Sequence, residues 1–156
     1  MVQAASFTNG FKIFEISDVV LKDSEHVQTE SKVGARNSRR LAAAYAGPTS
    51  GFEIIHGLVD RVMQLSEVCP EKAYVENSQK ADEDKYRITR EGLFYTIAES
   101  DDSSFFPGRV ADIMFRRGDE ELKKIGTFGI LHPHVLKNFE ITYPTTVVEL
   151  NLEAIM

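Results

Sequence analysis

The residues that could bind a metal ion or act as a nucleophile are few in this chain. Glu53 and His56 share one face of a predicted helix, but helical metal sites of this kind combine two such pairs with further carboxylates. His132 and His134 flank a proline and have no other His or Cys near them in the sequence, so we expect His132 to cap a short helix. Cys69 lies near a helix end, whose partial negative charge disfavours the thiolate. The sequence therefore predicts no metal site and no cysteine nucleophile.

Chemistry on a phosphate group would need arginines that are held in place, because bidentate guanidinium groups stabilise charge on phosphate oxygens. Arg90 and Glu91 are adjacent, and neighbours on a strand point to opposite faces, so they cannot act together. The segment that contains Gly126 and Gly129 continues into apolar residues without an arginine. We expect a strand in which glycine allows close packing, not a phosphate cradle.

A second group of candidates surrounds one arginine in the sequence FFPGR. Two acidic residues precede this arginine by eight and seven positions, so a loop-anchoring ion pair is one interpretation, and contact with another chain is the other. The paired phenylalanines predict that at least one ring packs against this core or a partner. The candidates for a structural or interface role are Asp101, Asp102, Phe105, Phe106, Pro107 and Arg109.

The one basic cluster of the chain comprises Lys32, Arg36, Arg39 and Arg40. A solvated loop or a set of ion pairs would explain it, and a contact with a nucleic-acid backbone is the functional alternative. Its surroundings are acidic, since 18 Lys and Arg stand against 24 Asp and Glu, for a net charge of −6. Dedicated nucleic-acid-binding domains are usually basic, so the composition argues against that class for the chain as a whole.

Length and composition exclude further classes of protein. The chain of 156 residues has a single cysteine and therefore no internal disulfide. No apolar run approaches the roughly 20 residues of a membrane span, and the N-terminus lacks the pattern of a signal peptide. We expect a cytoplasmic domain with no membrane association and one hydrophobic core.

These candidates must be positioned by a small set of predicted elements. A capping box of Ser50 and Glu53 opens the clearest one, a helix over 51–68 that Pro70 would stop. Residues 22–38 and 76–91 read as polar loops, and 1–10 as a flexible edge. We expect strands at 11–21, 39–46 (where a helix is the alternative), 93–99, 110–115, 124–131 and 146–152, and a short helix at 133–139. The pattern predicts an α+β fold, a single domain over 11–156 with an antiparallel sheet flanked by helices.

Three segments of the sequence together resemble one family. They read GFEIIHGLVDRVMQL at 51–65, ESDDSSFFPGR at 99–109 and KIGTFGILHPHV at 124–135, and FEISDV, VGARN and ELNL agree with them. In order and spacing, residues 12 to 156 resemble the C-terminal part of the beta subunits of phenylalanine–tRNA ligases of the archaeal and eukaryotic cytosolic type. FFPGR followed by GxxGxLHP is a specific combination of motifs, and it carries most of this resemblance.

The resemblance implies a partial, degenerate class II aminoacyl-tRNA synthetase catalytic fold that has lost its chemistry. It implies an enzyme of two alpha and two beta chains, in which the alpha chain uses ATP and magnesium to attach phenylalanine to its tRNA. This chain would have no catalytic residue and no cofactor of its own, and would pack against the alpha subunit. Gly126, Gly129 and His132 join the FFPGR group as structural or interface candidates, and the basic cluster becomes a candidate tRNA contact.

Two functions from different classes follow. One is a scaffold that buries apolar surface against the alpha subunit and supports its active site. The other is a free-standing interaction module that kept the fold and lost the synthetase. The retained FFPGR and GTFGILHP segments favour the scaffold. A small hydrolase, as a third alternative, has no assembled motif behind it.

Overall fold

The structure, a computed structural model, describes residues 10–23, 34–72 and 92–156. The predicted loop at 76–91 lies outside the described residues, as do Lys32, the Arg90–Glu91 pair and the predicted flexible edge apart from Gly10. No helix among the described residues is long and apolar enough to cross a membrane.

The described elements form one seven-stranded sheet with helices packed beside it. Its strands run in the order β1-β2-β7-β6-β5-β4-β3, and every neighbouring pair is antiparallel except the short parallel pair of β3 and β4. The predicted α+β class is confirmed. In chain order the elements are β1 (Phe11–Lys22), β2 (Ala35–Ala46), α1 (Phe52–Leu65), β3 (Cys69–Pro70), β4 (Leu93–Glu99), β5 (Phe105–Arg117), β6 (Lys123–Leu131), α2 (Pro133–Asn138) and β7 (Thr145–Asn151).

The core lies between α1 and one face of the sheet. Ile55, Val59 and Met63 recur at a spacing of four on α1 and are buried there. They join a cluster that includes Phe128 of β6 and Leu150 of β7, both almost fully buried. The predicted helix is confirmed, and it covers the β2, β7 and β6 strands.

The predicted capping box at the start of α1 is wrong. Gly51 is the N-cap residue, with a positive φ of 64° and no side-chain hydrogen bond to the helix. Its carbonyl accepts the first helical bonds from Ile54 and Ile55, and a Cβ at this position would run into the ring of Tyr45. Only glycine allows both the left-handed turn and the close approach of this ring.

The end of α1 also differs from the prediction. The helix stops at Leu65, before Pro70 can act on it. Glu67 has a positive φ of 59°, its N–H bonds Gln64, and the N–H of Val68 bonds the carbonyl of Met63. These bonds form a Schellman motif, which satisfies the last carbonyls of the helix without help from proline.

Two strands begin earlier than the sequence indicated. β2 starts at Ala35 inside the predicted loop, because its first residues continue the ladder against β1, where Ala35 pairs with Lys22. β5 starts at Phe105, so the FFPGR segment belongs to a strand and not to a loop. A register shift between Phe105 and Val110 forms an irregularity there, which explains the loop-like composition.

Candidate functional site

A cleft of about 750 Å³ lies on the face of the sheet opposite α1. Its floor is made of small side chains, Ala42 and Ala44 of β2 and Val147 of β7. Cross-strand pairing brings Glu15, Ala42, Glu149, Thr127 and Asp112 into one row across five strands. Directly opposite residues in antiparallel strands share a face, so this row crosses the open side of the sheet.

Both cations among the described residues that line this cleft are bound by carboxylates. Arg40 Nη1 lies 3.4 Å from Glu149 Oε1, and Lys124 Nζ lies 2.8 Å from Asp112 Oδ1. Thr127 Oγ1 donates a second hydrogen bond to Asp112 Oδ1 at 2.8 Å. Burial opposes ionisation of Asp112, but the hydrogen bonds from Lys124 and Thr127 outweigh it and hold its pKa below the usual 3.8. The one guanidinium among the described residues that line the cleft, that of Arg40, is paired with Glu149, although its buried Nε has no hydrogen-bond partner.

The glycines of β6 pack closely against neighbouring backbone. A Cβ at Gly126 would meet the carbonyl oxygen of Glu149, and one at Gly129 would lie 2.7 Å from the carbonyl oxygen of Arg109. β6 is paired with β5 on one side and β7 on the other, so its amides serve the sheet ladder. The segment is a central strand, as predicted, and not a phosphate cradle.

Arg109 does not form the predicted ion pair with Asp101 or Asp102. The guanidinium is exposed and pairs with no described residue. Asp102 instead accepts a hydrogen bond from the backbone N–H of Ser104 at 2.9 Å, which lowers the pKa of its carboxyl. Asp101 is exposed beside it. The alternative that Arg109 contacts another chain stays a prediction.

The side chains around Arg109 form a second, more apolar groove of about 720 Å³. Phe106 is exposed at its edge, with its ring 6.5 Å from that of His132, and Pro107 is exposed beside it. Phe105 is half-buried and contacts Gly129. The remaining wall is built mainly by β6, α2 and the segment after α2, through Ile130, Leu131, Pro133, Leu136, Ile141, Tyr143 and Pro144.

His132 caps α2, as the sequence predicted. Its Nδ1 accepts a hydrogen bond from the N–H of His134 at 3.2 Å, and the two rings stack at 5.2 Å. Within residues 10–23, 34–72 and 92–156, no three His, Cys, Asp or Glu side chains come together as a metal site. Burial raises the pKa of the Cys69 thiol, which disfavours the thiolate.

The three described arginines of the basic cluster are each paired with an acid. Arg36 pairs with Asp23 at 3.2 Å, and Arg39 binds Asp18 through two bonds of 2.7 and 3.1 Å. Arg40 occupies the cleft described above. Alternation along β2 puts Arg39 on the opposite face of the sheet from Arg36 and Arg40. The cluster is thus divided between two faces, and its contact with tRNA stays a prediction.

Sequence reasoning missed the paired charges of the cleft. Arg40 and Glu149 are 109 positions apart, so only the register of β2 against β7 brings them together. The one available signal was the alternation of β7, which places Glu149 on the face opposite the buried Val148 and Leu150. That alternation indicates a polar face, but it does not identify the partner.

Solved structures with a similar fold include two structures of pyrrolysyl-tRNA synthetase from Desulfitobacterium hafniense. The TM-scores are 0.53 and 0.54 at 14% sequence identity, and the matches cover 92% and 96% of this chain and 39% and 42% of the other chains. These matches show that the chain shares its fold with part of a synthetase chain, as expected for a partial, degenerate class II fold.

Sequence comparison identifies the family within this class. Residues 4–152 match the family model "Phenylalanyl tRNA synthetase beta chain CLM domain", and the chain belongs to that family. The chain is 47% identical to the cytoplasmic phenylalanine–tRNA ligase beta subunit of Arabidopsis thaliana over 93% of its length. Identity is 43% to the human beta subunit and 40% to that of Saccharomyces cerevisiae, over 90% and 93% of this chain. The chain spans about a fifth of these relatives, namely 21%, 19% and 22% of their lengths.

Proposed function

We propose that this chain is a non-catalytic part of the beta subunit of a phenylalanine–tRNA ligase. The observation that carries the proposal is the family match over residues 4–152, combined with a cleft whose lining cations are bound by carboxylates. A guanidinium or ammonium that is already neutralised provides little additional stabilisation to a charged phosphate. The role of the chain is then structural, and it supports an active site that another subunit carries.

The complete ligase of this proposal has two alpha and two beta chains. ATP, magnesium and phenylalanine bind at the alpha subunit, and tRNA binds to the assembled enzyme. The name of the Arabidopsis relative supports a cytoplasmic location. The relatives named above are ligase subunits, which gives the alternative of a free-standing interaction module no support.

The experiment that tests the proposal measures phenylalanine-dependent ATP–pyrophosphate exchange by the reconstituted ligase. The variant Arg40→Ala with Lys124→Ala removes both cleft cations, and Arg61→Ala on the exposed face of α1 is the control. We expect both enzymes to keep the wild-type rate within about twofold, because neither cation contacts a phosphate. A loss on the order of a hundredfold, the usual effect of removing a transition-state donor, would contradict the proposal.

The structural part of the proposal has its own test. Ile113 of β5 is completely buried in the core, on the face of the sheet that α1 covers. Ile113→Ala should lower the free energy of unfolding by about 2–5 kcal/mol. Exchange activity should then fall in proportion to the loss of assembled ligase, with the activity of each remaining complex unchanged. Loss of activity in fully assembled complexes would indicate a catalytic contribution instead.

A further inference from the structure

The FFPGR segment forms a bulge in β5 that the sheet holds at both ends. The pairs that enclose it are Phe105 with Leu131 and Val110 with Gly129. Residues 106–109 therefore lie opposite Ile130 alone, outside the regular ladder. The bulge turns at Gly108, whose φ of 69° glycine adopts without strain. Because a bulge changes the direction in which side chains point, this one presents Phe106 and Arg109 from a fixed position at the edge of the sheet.

This bulge forms one wall of the apolar groove described above, and α2 with the segment after it forms the other. Phe106 lies at the edge of the groove and is 46% exposed. Across from it, Leu136, Ile141 and Tyr143 are only half-buried. Removing such apolar surface from water is favourable, and apolar patches that stay open to water commonly mark binding sites. The groove therefore suits an occupant that buries apolar side chains between the bulge and α2.

The charges of this groove are opposite in sign to the net charge of the chain. Arg109 and Lys137 line the groove, are exposed, and form no ion pair with any described residue. Glu140 is the one acidic residue among the described lining residues. The groove is thus net positive in a chain whose net charge is −6. Complementary charge favours an occupant that carries a carboxylate among its apolar side chains.

The size of the groove favours an occupant that belongs to the same polypeptide. Twelve residues line its volume of about 720 Å³, whereas a stable interface between separate proteins takes roughly 20–30 residues on each side. A segment that is covalently joined to the groove has an effective concentration of about millimolar, so a small contact is sufficient to hold it. This chain spans only 21%, 19% and 22% of the relatives named above. Most of a beta subunit is therefore available to provide such a segment.

We propose that this groove binds a segment of the same beta subunit from outside residues 1–156, with a carboxylate against Arg109 and apolar side chains between Phe106 and α2. This inference rests on the proposed function, which makes the chain one part of a longer beta subunit. The bulge then fixes another part of that subunit relative to this module. The FFPGR segment thereby has a role that requires no ion pair with Asp101 or Asp102.

Photo-cross-linking from position 106 tests this inference. The complete beta subunit carries the substitution Phe106→p-benzoylphenylalanine, which keeps an aromatic ring at the edge of the groove. On irradiation, the purified subunit should form a cross-link to a peptide of its own chain outside residues 1–156, which mass spectrometry identifies. The control is Leu122→p-benzoylphenylalanine, in the turn between β5 and β6, because Leu122 is 44% exposed and therefore closely matches Phe106. The control should not form a cross-link to the same peptide.

Three results would overturn the inference. They are no cross-link from position 106, a cross-link to the alpha subunit alone in the assembled ligase, and a cross-link that joins two beta subunits. A mixture of isotopically heavy and light beta subunits distinguishes the third result from a cross-link within one chain.

A charge reversal provides the second measurement, again in the complete beta subunit. Arg109→Glu should lower the yield of the cross-link from position 106 at least about fivefold, because like charges then face each other in the groove. Arg109→Lys keeps the positive charge and should retain most of the yield. Arg61→Glu, on the exposed face of α1, is the matched control and should behave as the wild type does. An unchanged yield for Arg109→Glu would also overturn the inference.

The failure of this inference can be distinguished from the failure of the proposed function. If the beta subunit does not associate with the alpha subunit at all, the proposed function fails. If the two subunits associate and position 106 forms no cross-link within its own chain, only the proposed occupant of the groove is wrong.

Discussion

The close approach of β6 and β7 depends on a residue without a side chain. At Gly126 a Cβ would meet the carbonyl oxygen of Glu149, which belongs to rigid backbone in the middle of the sheet. At Gly57 on α1, nothing would lie within 4 Å of an added Cβ. The two glycines therefore allow one substitution to be compared in two environments.

We predict opposite effects of alanine at these two positions. Gly126→Ala should lower the free energy of unfolding by about 1–3 kcal/mol, the usual range for an overpacked core. Gly57→Ala should raise it by about 0.5–1 kcal/mol, because alanine loses less conformational freedom in a helix. Urea unfolding followed by circular dichroism measures both, and an unchanged midpoint for Gly126→Ala would show that the strands can separate at low cost.

The ion pair of the cleft predicts a dependence of stability on pH. Burial opposes ionisation of Asp112, but Lys124 and Thr127 more than compensate and lower its pKa in the folded state. The carboxylate therefore stabilises the fold above its unfolded pKa of about 3.9, and this stabilisation is lost as pH falls through the lower folded pKa. Between pH 6 and pH 3 the wild type should lose more stability than Asp112→Asn.

Urea unfolding at a series of pH values measures this difference. Asp119→Asn, at the exposed turn between β5 and β6, is the matched control and should behave as the wild type does. Equal acid sensitivity of Asp112→Asn and the wild type would mean that the bonds from Lys124 and Thr127 do not form in solution.

At the scale of the residue, local chemistry was predictable and long-range pairing was not. His132 could be identified as a cap because its partner, the N–H of His134, is two positions away. The predicted ion pair between Arg109 and Asp102 was wrong because the backbone N–H of Ser104 is a nearer partner for Asp102. The Arg40–Glu149 pair depends on strand register, which a single sequence does not determine.

At the scale of the element, the start of α1 shows how one backbone conformation can replace a side-chain cap. Ser50 and Glu53 have the spacing of a capping box, yet Gly51 between them takes a left-handed conformation and becomes the N-cap. The carbonyl of Ser50 instead accepts a hydrogen bond of 2.5 Å from Thr146 Oγ1 of β7. The backbone carbonyl that precedes the helix is therefore bound to a side chain of the sheet, and the capping pattern does not predict this bond.

This arrangement predicts unequal effects at neighbouring positions. Ser50→Ala should change the free energy of unfolding by less than about 0.5 kcal/mol, since its side chain makes no cap. Gly51→Ala should lower it by about 1–3 kcal/mol, because alanine is strained at a φ of 64° and its Cβ would meet the Tyr45 ring. Thermal unfolding by calorimetry distinguishes the two variants. A loss of about 1 kcal/mol in Ser50→Ala would restore the capping box.

Among the elements, α1 and β7 could be predicted from the sequence, whereas the starts of β2 and β5 could not. The 3.6-residue period of α1 and the alternation of β7 reflect burial against one core, so both elements were found with nearly correct bounds. The first residues of β2 and β5 are polar or rich in Pro and Gly, and pairing with a neighbouring strand overrides that composition. Tertiary context thus decided the strand boundaries, not local propensity.

At the scale of the whole molecule, the sheet presents two faces with different tasks. One face is covered by α1 and forms the core. The other forms an open cleft, in which the cations among the described lining residues are bound to carboxylates. The order of the predicted elements was sufficient to predict the α+β class. Prediction of the cleft would have required the order of the seven strands in the sheet and the register of each pair. The exposed apolar side chains of β1 fit a protein that works within a larger assembly.

The most direct test of this account is the mass of the complex formed with the alpha subunit, measured by light scattering on a sizing column. The chain, in its full natural length, is mixed with purified alpha subunit from the same source. We predict that the two elute together, at a mass that corresponds to two alpha and two beta chains. Separate elution of two well-folded proteins at micromolar concentration would contradict the central claim that this chain is a structural part of the ligase.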